Sequence, residues 1–402
     1  MKTRDHKIHL KFITKLTKLK HFFIIATLSF SLILIMFIWN QREEIQNNFL
    51  ELPPITSPKS KWYERETILF EWPPLNSNKK NYSLVNQGIA DLRGIDISSL
   101  KLISKERVLF KTEDWENVSN SADLPGYPSL VHNIYGKDPD NRYYLFYAVH
   151  EPPSGIGLAI ADNLKGSFLK LSQFRHGPQD SRVLKAPSRP RGTSHFSSPV
   201  VLWNPYEKLW FMYFHFYNNE TEQGFGHQKT ALAYTESLTH GEWKIYTDDK
   251  QKYITPMPVK DEWMNSQSSY HAVSRLEDQK WIALLRGTNL ENINTALGLA
   301  ASNDGIKWAI MPPTPFLKKE IKKAVSKPVA IALDDDGLNI IWSIYDKQEW
   351  TTKAYISPIE GFSEKNSEIF LPEWAPSDGA SSIWREGSQL IIFSGNSRYI
   401  FE

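Results

Sequence analysis

The chain has 402 residues, with 47 Lys and Arg against 45 Asp and Glu, so its formal net charge is only +2. Such a balance argues against nucleic-acid binding, which normally needs a strongly basic face. The sequence contains no cysteine, which excludes disulfides, thiolate nucleophiles and thiolate metal ligands. A chain of this length can bury a core large enough to be stable without such cross-links.

The N-terminal 39 residues predict a membrane anchor. Residues 1–21 form a basic tail in which Asp5 is the only acid. Residues 22–39, FFIIATLSFSLILIMFIW, contain three polar residues, and as a helix at about 1.5 Å per residue they approach the ~30 Å hydrocarbon core of a bilayer. The basic flank predicts that the tail stays in the cytoplasm and that the rest of the chain is extracytoplasmic.

A cleaved signal peptide is the alternative interpretation of this segment. Its apolar stretch would span about 7–15 residues and would end at a site with small residues. Here the stretch is longer and continues as Ile38-Trp39-Asn40-Gln41-Arg42, without such a site. We therefore expect an uncleaved signal-anchor in a single-pass membrane protein, with the C-terminal domain facing the periplasm from a bacterial inner membrane. A Golgi lumen remains open as the other compartment.

Residues 40–62 are polar and contain prolines, which predicts a stalk or linker, and residues 63–402 form the predicted globular domain. This domain lacks long helical periodicity. Short aromatic and β-branched runs recur instead, separated by turns rich in Gly, Asp, Asn and Pro, a pattern typical of all-β folds.

One repeated unit distinguishes among the all-β folds. A short strand, a polar turn and an apolar-aromatic strand follow one another five times. The apolar-aromatic strands are predicted at 143–149, 209–217, 280–287, 339–346 and 389–395. Five such units predict a five-bladed β-propeller behind the single transmembrane helix. The fifth unit stops one strand short after 398–401, so we expect 67–72 (TILFEW) or 107–112 (RVLFKT) to close the ring.

The motifs YYLFY (143–147), GIGLAIADN (155–163) and ALGLAASNDGIKW (296–308), the last followed by Pro312 and Pro313, resemble the five-bladed β-propeller glycosidase superfamily. This group includes glycoside hydrolase family 43 and the arabinanase, levansucrase and invertase enzymes. The resemblance covers about 110–402. It implies a central funnel where the innermost strands begin, with carboxylates acting as general base, general acid and modulator of the acid.

These carboxylates are not clearly matched. Residues 127–129 read Tyr-Pro-Ser where the resemblance implies Asp-Pro-Ser, and 269–272 read Ser-Tyr-His-Ala where a Glu is implied. The catalytic candidates are therefore Asp378, His195, His271 and Tyr127. A histidine paired with a tyrosine suits proton abstraction beside a carboxylate-bearing sugar carbon. Hydrogen bonding to sugar or backbone groups is the alternative role of each histidine.

The substrate-binding candidates are Tyr270, Lys327, Arg189, Arg191, Glu151 and Asp346. Arg189 and Arg191 belong to a basic connector between the first two units, and arginine binds carboxylate, sulfate or phosphate oxygens through two parallel hydrogen bonds. A solvated basic loop is the alternative for this connector. The candidates show no compact metal-ligand spacing, so we expect no metal and no cofactor.

The sequence thus predicts a membrane-anchored carbohydrate-active protein. Its simplest function is that of a glycoside hydrolase-like propeller that acts on an envelope or anionic polysaccharide. Its expected partners are such a polysaccharide or oligosaccharide and, through the N-terminal helix, the lipid bilayer. A catalytically inactive glycan-binding or assembly factor and a His/Tyr polysaccharide lyase are the alternatives, because one architecture supports many chemistries.

Overall fold

A computed structural model describes much of the chain beyond residue 83. The described residues are 84–117, 125–150, 154–174, 177–186, 196–217, 228–246, 263–264, 267–277, 279–289, 294–311, 317–320, 323–359, 367–374, 376 and 381–402. They all belong to the compact unit Lys59–Glu402. The predicted tail, anchor and stalk lie outside them. Within these ranges, no helix has the length and apolar character needed to cross a bilayer.

The described residues are almost entirely strands and turns. The strands are β1 (Ile89–Asp91), β2 (Leu102–Arg107), β3 (Gly126–His132), β4 (Tyr143–Val149), β5 (Gly155–Ala161), β6 (Leu169–Lys170), β7 (Arg182–Lys185), β8 (Phe196–Asn204), β9 (Leu209–Tyr217), β10 (Gln228–Thr235), β11 (Lys244–Ile245), β12 (Gln267–Glu277), β13 (Lys280–Asn289), β14 (Asn294–Ser302), β15 (Ala309–Met311), β16 (Leu317–Glu320), β17 (Ala324–Leu333), β18 (Leu338–Asp346), β19 (Thr351–Pro358), β20 (Glu368–Ile369), β21 (Ser381–Glu386), β22 (Gln389–Ser394) and β23 (Ser397–Phe401). The short 3-10 helices are Leu84–Gln87, Ile97–Ser99, Asp114–Glu116 and Leu171–Gln173.

These strands form five sheets, which are the blades of a propeller. Blade one is β3-β4-β5-β6 with β7 on β5, blade two is β8 to β11, and blade three is β12 to β15 with β16 on β14. Blade four contains β17 to β20, and blade five contains β21 to β23 with β2. Within each blade, successive strands pair antiparallel from the inner strand outward. The predicted all-β, five-bladed propeller is therefore confirmed.

Apolar side chains fill the interfaces between neighbouring blades. The described residues contain five buried hydrophobic clusters, and each cluster takes members from two adjacent blades. Fully buried tryptophans such as Trp210, Trp281 and Trp342 lie in three different interfaces. The high aromatic content thus serves mainly to fill these wide gaps, since aromatic side chains bury large areas.

The ring closes between the two ends of the propeller domain. Strand β2 pairs antiparallel with β23, from Leu102 opposite Phe401 to Arg107 opposite Ser397. A strand from the N-terminal side therefore closes the ring, as expected, but the proposed segment 107–112 shares only Arg107 with it, and 67–72 lies outside the described residues. The apolar run after Arg107 instead enters the interface of blades five and one, where Leu109 is buried. Because β2 is a charged and largely exposed edge strand, its sequence lacks the apolar pattern that the prediction used.

A segment that the sequence did not reveal closes one end of the central channel. Strand β1 pairs parallel with β17, next to the 3-10 helix Leu84–Gln87, which contacts the inner strands of the other four blades. The side-chain amide of Asn86 exchanges two hydrogen bonds with the backbone of His132, at 2.8 and 2.9 Å, and Ser274 Oγ donates to the Gly88 carbonyl at 2.7 Å. A cavity of about 50 Å³ remains in the channel beside this segment.

Gly88 is the residue on which this closure makes its strictest demand, because it has φ of +74°. A Cβ atom there would lie 2.3 Å from the Val273 carbonyl oxygen and 2.7 Å from Leu202 Cδ2. We expect Gly88→Ala to lower the free energy of unfolding by roughly 2–4 kcal/mol, from the left-handed backbone and the clash together. Thermal and urea unfolding measure this change.

Gly94→Ala is the matched control, since Gly94 has φ of +63° but open space around its Cβ position. It should cost only the backbone contribution, about 1–2 kcal/mol. Equal losses in the two variants would contradict the tight fit of Gly88 in the channel.

Candidate functional site

The inner strands of four blades are interrupted by a β-bulge near the end at which they begin. The strand register shifts between Gly126 and Ser129 in β3, and correspondingly in β8, β12 and β17. In three of these bulges a residue other than glycine has positive φ: Tyr127 at 54°, Ser198 at 51° and Tyr270 at 54°. Such backbone strain concentrates at functional sites, and bulges redirect side chains. The recurring bulges therefore mark the start of the inner strands as the candidate site.

Six side chains from four blades meet at this end of the propeller, and we call them the funnel cluster: Tyr127, His150, His215, Tyr270, Arg286 and Lys327. Their aromatic rings contact one another around the channel axis. The ring centroids of Tyr127 and Tyr270 are 6.1 Å apart, and those of His215 and Tyr270 are 4.7 Å apart. The Tyr270 hydroxyl lies 3.4 Å from His150 Nε2. The cluster thus presents imidazole and phenol groups from blades one, two and three side by side.

Two cations flank the Tyr270 ring. The Arg286 guanidinium carbon is 4.2 Å from the ring centroid, and Lys327 Nζ is 5.3 Å from it. Arg286 is only 9% exposed, and burial lowers its pKa from the ordinary value, although a guanidinium stays charged in proteins. One of its terminal nitrogens donates to Gln267 Oε1 at 3.2 Å. Within the described part of the chain, Arg286 Nε has no hydrogen-bond partner and no carboxylate pairs with the guanidinium.

The sequence analysis had identified Tyr127, Tyr270 and Lys327, and the structure brings these three together. It had missed Arg286, His215 and His150. Arg286 and His215 hold equivalent places on β13 and β9, each opposite a serine that directly precedes the bulge of the inner strand. The available signal was a polar residue that interrupts an otherwise apolar second strand at the same place in two repeats.

His271, a catalytic candidate, lies apart from the funnel cluster in the core. It is 1% exposed, and its Nδ1 lies 3.2 Å from Thr230 Oγ1. Burial lowers the pKa of His271 to about 4, so the ring is neutral at physiological pH. It occupies the position that Pro128, Pro199 and Pro328 occupy in the other bulged strands. This shared position with three prolines indicates a packing role.

The remaining candidates divide into two groups. Asp346 ends β18, where its carboxylate accepts hydrogen bonds from the backbone N–H groups of Gln348 at 2.7 Å and Glu349 at 3.1 Å. These bonds lower the pKa of Asp346 and give it a turn-forming role. The other group comprises Asp378, His195, Glu151, Arg189 and Arg191, which lie outside the described residues.

The described carboxylates and metal-ligating groups do not reproduce the site implied by the resemblance. At the bulges, the four inner strands present Tyr127, Ser198, Tyr270 and Lys327, none of which is acidic. Over the described ranges, no group of three His, Cys, Asp or Glu residues is placed to hold a metal ion. In the basic connector, Arg182 and Lys185 both pair with Asp180, at 2.9 and 3.2 Å. The described site is therefore aromatic and cationic.

Comparisons with known proteins support the fold and little beyond it. No protein-family model and no curated protein matches this chain. Among solved structures, one described as "Glycoside hydrolase" is 12% identical, covers 76% of this chain and 92% of its own, and has a TM-score of 0.51. Another, described as a complex of BT0996 and RGII, is 12% identical with coverages of 75% and 92% and a TM-score of 0.52. The propeller fold of the glycosidase superfamily is thus confirmed, at identities that do not transfer an activity.

The buried His271 predicts a specific dependence of stability on acid. Its ordinary pKa of 6.5 applies to the unfolded chain, whereas the folded value is about 4, so below pH 6.5 the unfolded state binds the extra proton. His271 should therefore cost stability progressively as the pH falls from about 6.5 to about 4, by a few kcal/mol in all. Urea unfolding at a series of pH values measures this loss.

His271→Gln should lose much of that pH dependence while retaining a fold, since glutamine can still bond to Thr230. His240→Gln, a change at an exposed histidine, is the control and should keep the wild-type slope. An unchanged slope in His271→Gln would show that the burial of this imidazole does not cause the acid sensitivity.

Proposed function

We propose that the funnel cluster binds an anionic glycan, meaning a saccharide that carries a carboxylate, sulfate or phosphate group. We further propose that residues 22–39 anchor the protein in a membrane and that the propeller is extracytoplasmic. The single observation that carries the ligand class is the buried Arg286 guanidinium, which no described carboxylate neutralises.

The energetic argument begins with the cost of burying that cation. An ionised group removed from water is destabilising unless it is paired and hydrogen-bonded. Arg286 has the face of Tyr270 and one bond to Gln267, which together compensate only part of this cost. A ligand anion that binds the remaining N–H groups would complete the pairing, and the planar guanidinium fits carboxylate, sulfate or phosphate oxygens.

The rest of the cluster suits a sugar attached to that anion. Tyr127 and Tyr270 offer ring faces and hydroxyls, His150 adds an imidazole, and Lys327 adds a second positive charge. Small-molecule sites typically combine such apolar surfaces with a few convergent polar groups. One of the two solved structures of this fold is named a glycoside hydrolase, which supports carbohydrate as the ligand class.

The chemistry of the site distinguishes hydrolysis from its alternatives. Glycoside hydrolysis requires two carboxyl groups about 5–10 Å apart. The bulged inner strands supply none, so hydrolysis depends on Asp378 and on a second acid such as Glu151, both outside the described residues. A glycan-binding or assembly function requires neither acid, and the described cluster is sufficient for it.

A second candidate function, β-elimination on a uronate, is favoured by the contact between Tyr270 and His150. With the sugar carboxylate bound to Arg286, the proton on the adjacent carbon becomes more acidic, and the Tyr270–His150 pair would remove it. The electron pair left behind forms a C=C bond, the C–O bond to the neighbouring sugar breaks, and the departing oxygen takes up a proton. This step needs no oxidant and no cofactor.

A panel of neutral and acidic glycans tests the ligand class and the reaction together. We expect the full-length protein in detergent to bind acidic glycans in preference to neutral ones. New reducing ends without the ultraviolet absorbance of an unsaturated uronate would indicate hydrolysis, and the same ends with that absorbance would indicate elimination. Binding without either signal would indicate a glycan-binding function. Failure to bind any acidic glycan would contradict the proposal.

Arg286→Gln should weaken the binding of acidic glycans roughly 10- to 100-fold, because the ligand anion loses a charge-assisted hydrogen-bonding partner. Arg286→Lys, which keeps the charge but loses the fork, should fall between this variant and the wild type. Lys208→Gln removes one positive charge at the exposed β8–β9 turn and serves as the control. If Lys208→Gln weakens binding as much as Arg286→Gln, net charge rather than the funnel cluster determines affinity.

The anchor gives a separate prediction. The full-length protein should remain with membranes after an alkaline wash, and the double change Leu32→Arg and Ile35→Arg should release it, because each charge at the bilayer centre costs about 2.5–3.5 kcal/mol. The apolar exchange Leu32→Ile with Ile35→Leu should behave as the wild type. Retention of the double-arginine variant in the washed membranes would contradict an anchor at 22–39.

A further inference from the structure

Trp350 is an exposed aromatic side chain at an unfavourable backbone position. It is 80% exposed, whereas the other tryptophans in the described ranges are buried or half-buried. Its φ is +57°, a left-handed conformation that a bulky residue adopts only at a cost of about 1–3 kcal/mol. Trp350 therefore combines an exposed indole with a strained backbone in a turn that Gly or Asn would accommodate more easily.

The turn that carries Trp350 is firmly held. It joins β18 to β19, where Asp346 pairs with Thr351. The Asp346 carboxylate accepts the backbone N–H groups of the two residues that follow Lys347, and the Lys347 N–H itself donates to the Lys323 carbonyl at 2.8 Å. The Tyr345 ring meets the Trp350 ring edge-on, with centroids 6.4 Å apart. A held aromatic ring binds a partner with little loss of conformational entropy.

This turn lies at the same end of the propeller as the funnel cluster. Asp346 pairs with Ala324, the first residue of the inner strand of blade four. Lys327 of the funnel cluster follows three residues later on that strand, opposite Ser343 of β18. Blade four thus carries a funnel cation and an exposed indole on one rim, and Lys347 and Lys353 add positive charge around the turn.

We propose that Trp350 is a stacking platform for an outer sugar unit of an anionic glycan whose charged unit occupies the funnel. This proposal rests on the proposed function, and it adds that the ligand is a chain that extends over blade four. The flat, apolar C–H face of a sugar ring matches an exposed indole, while the neighbouring lysines and the side chain of Gln348 suit its anionic and hydroxyl groups.

The test uses the full-length protein and a length series of oligogalacturonates of two to eight units, with neutral cello-oligosaccharides of the same lengths. Trp350→Ala should weaken the binding of the longer acidic oligomers about five- to tenfold and leave that of the dimer unchanged. Trp350→Tyr should restore most of the affinity, because it keeps an aromatic face. Tyr206→Ala, at an exposed aromatic residue in the β8–β9 turn, is the matched control and should have no effect.

The pattern across lengths separates this proposal from the one on which it rests. Arg286→Gln should weaken all acidic oligomers, including the dimer, whereas Trp350→Ala should act only on longer ones. A loss in Arg286→Gln without any effect of Trp350→Ala overturns the platform and keeps the funnel. Equal losses at every length in Trp350→Ala, or an effect on self-association instead of glycan binding, overturn it as well. No binding of any acidic oligomer by the wild type overturns both proposals.

Discussion

The pairing of β2 with β23 is the constraint on which the rest of the structure depends. Blades in a propeller contact only their neighbours, so an unclosed ring would expose the apolar faces of its first and last blades. Here the closure joins Leu102 and Phe401, about 300 residues apart, with backbone hydrogen bonds. Only in a closed ring do inner strands from four blades bring their bulges to one axis. The funnel cluster is therefore a consequence of the closure.

The chain that follows β2 reinforces this closure through a buried polar network. Lys170 Nζ contacts the Glu116 carboxylate at 2.5 Å, and both side chains are at most 4% exposed. Glu116 also accepts the Tyr147 hydroxyl at 2.9 Å and the Thr112 backbone N–H at 2.8 Å. Because each charge is paired and hydrogen-bonded, burial is tolerated. The network joins the segment after the closing strand to blade one, next to the start of the first bulged inner strand.

The sequence predicted the repeating scaffold well because each blade repeats a local pattern, and strands such as Tyr143–Val149 and Leu209–Tyr217 have the predicted bounds. It predicted the site less completely for two physical reasons. The bulge at Tyr270 depends on backbone pairing that no residue type announces. Arg286 becomes a site residue only because the fold buries it without a described carboxylate. Similarly, β1 enters the channel through parallel pairing across the fold, which local patterns cannot reveal.

Arg286 and His271 show how neighbouring positions on paired strands of one blade divide between binding and packing. Both are buried, and burial lowers the pKa of each. The imidazole can respond by remaining neutral, and its place in the other blades is held by proline, so it serves the core. The guanidinium cannot lose its charge under the same conditions. Its desolvation cost is therefore retained in the folded protein, and the binding of an anion at the Tyr270 face would relieve it. Burial combined with permanent charge is what makes Arg286, rather than the histidine, the centre of the proposed site.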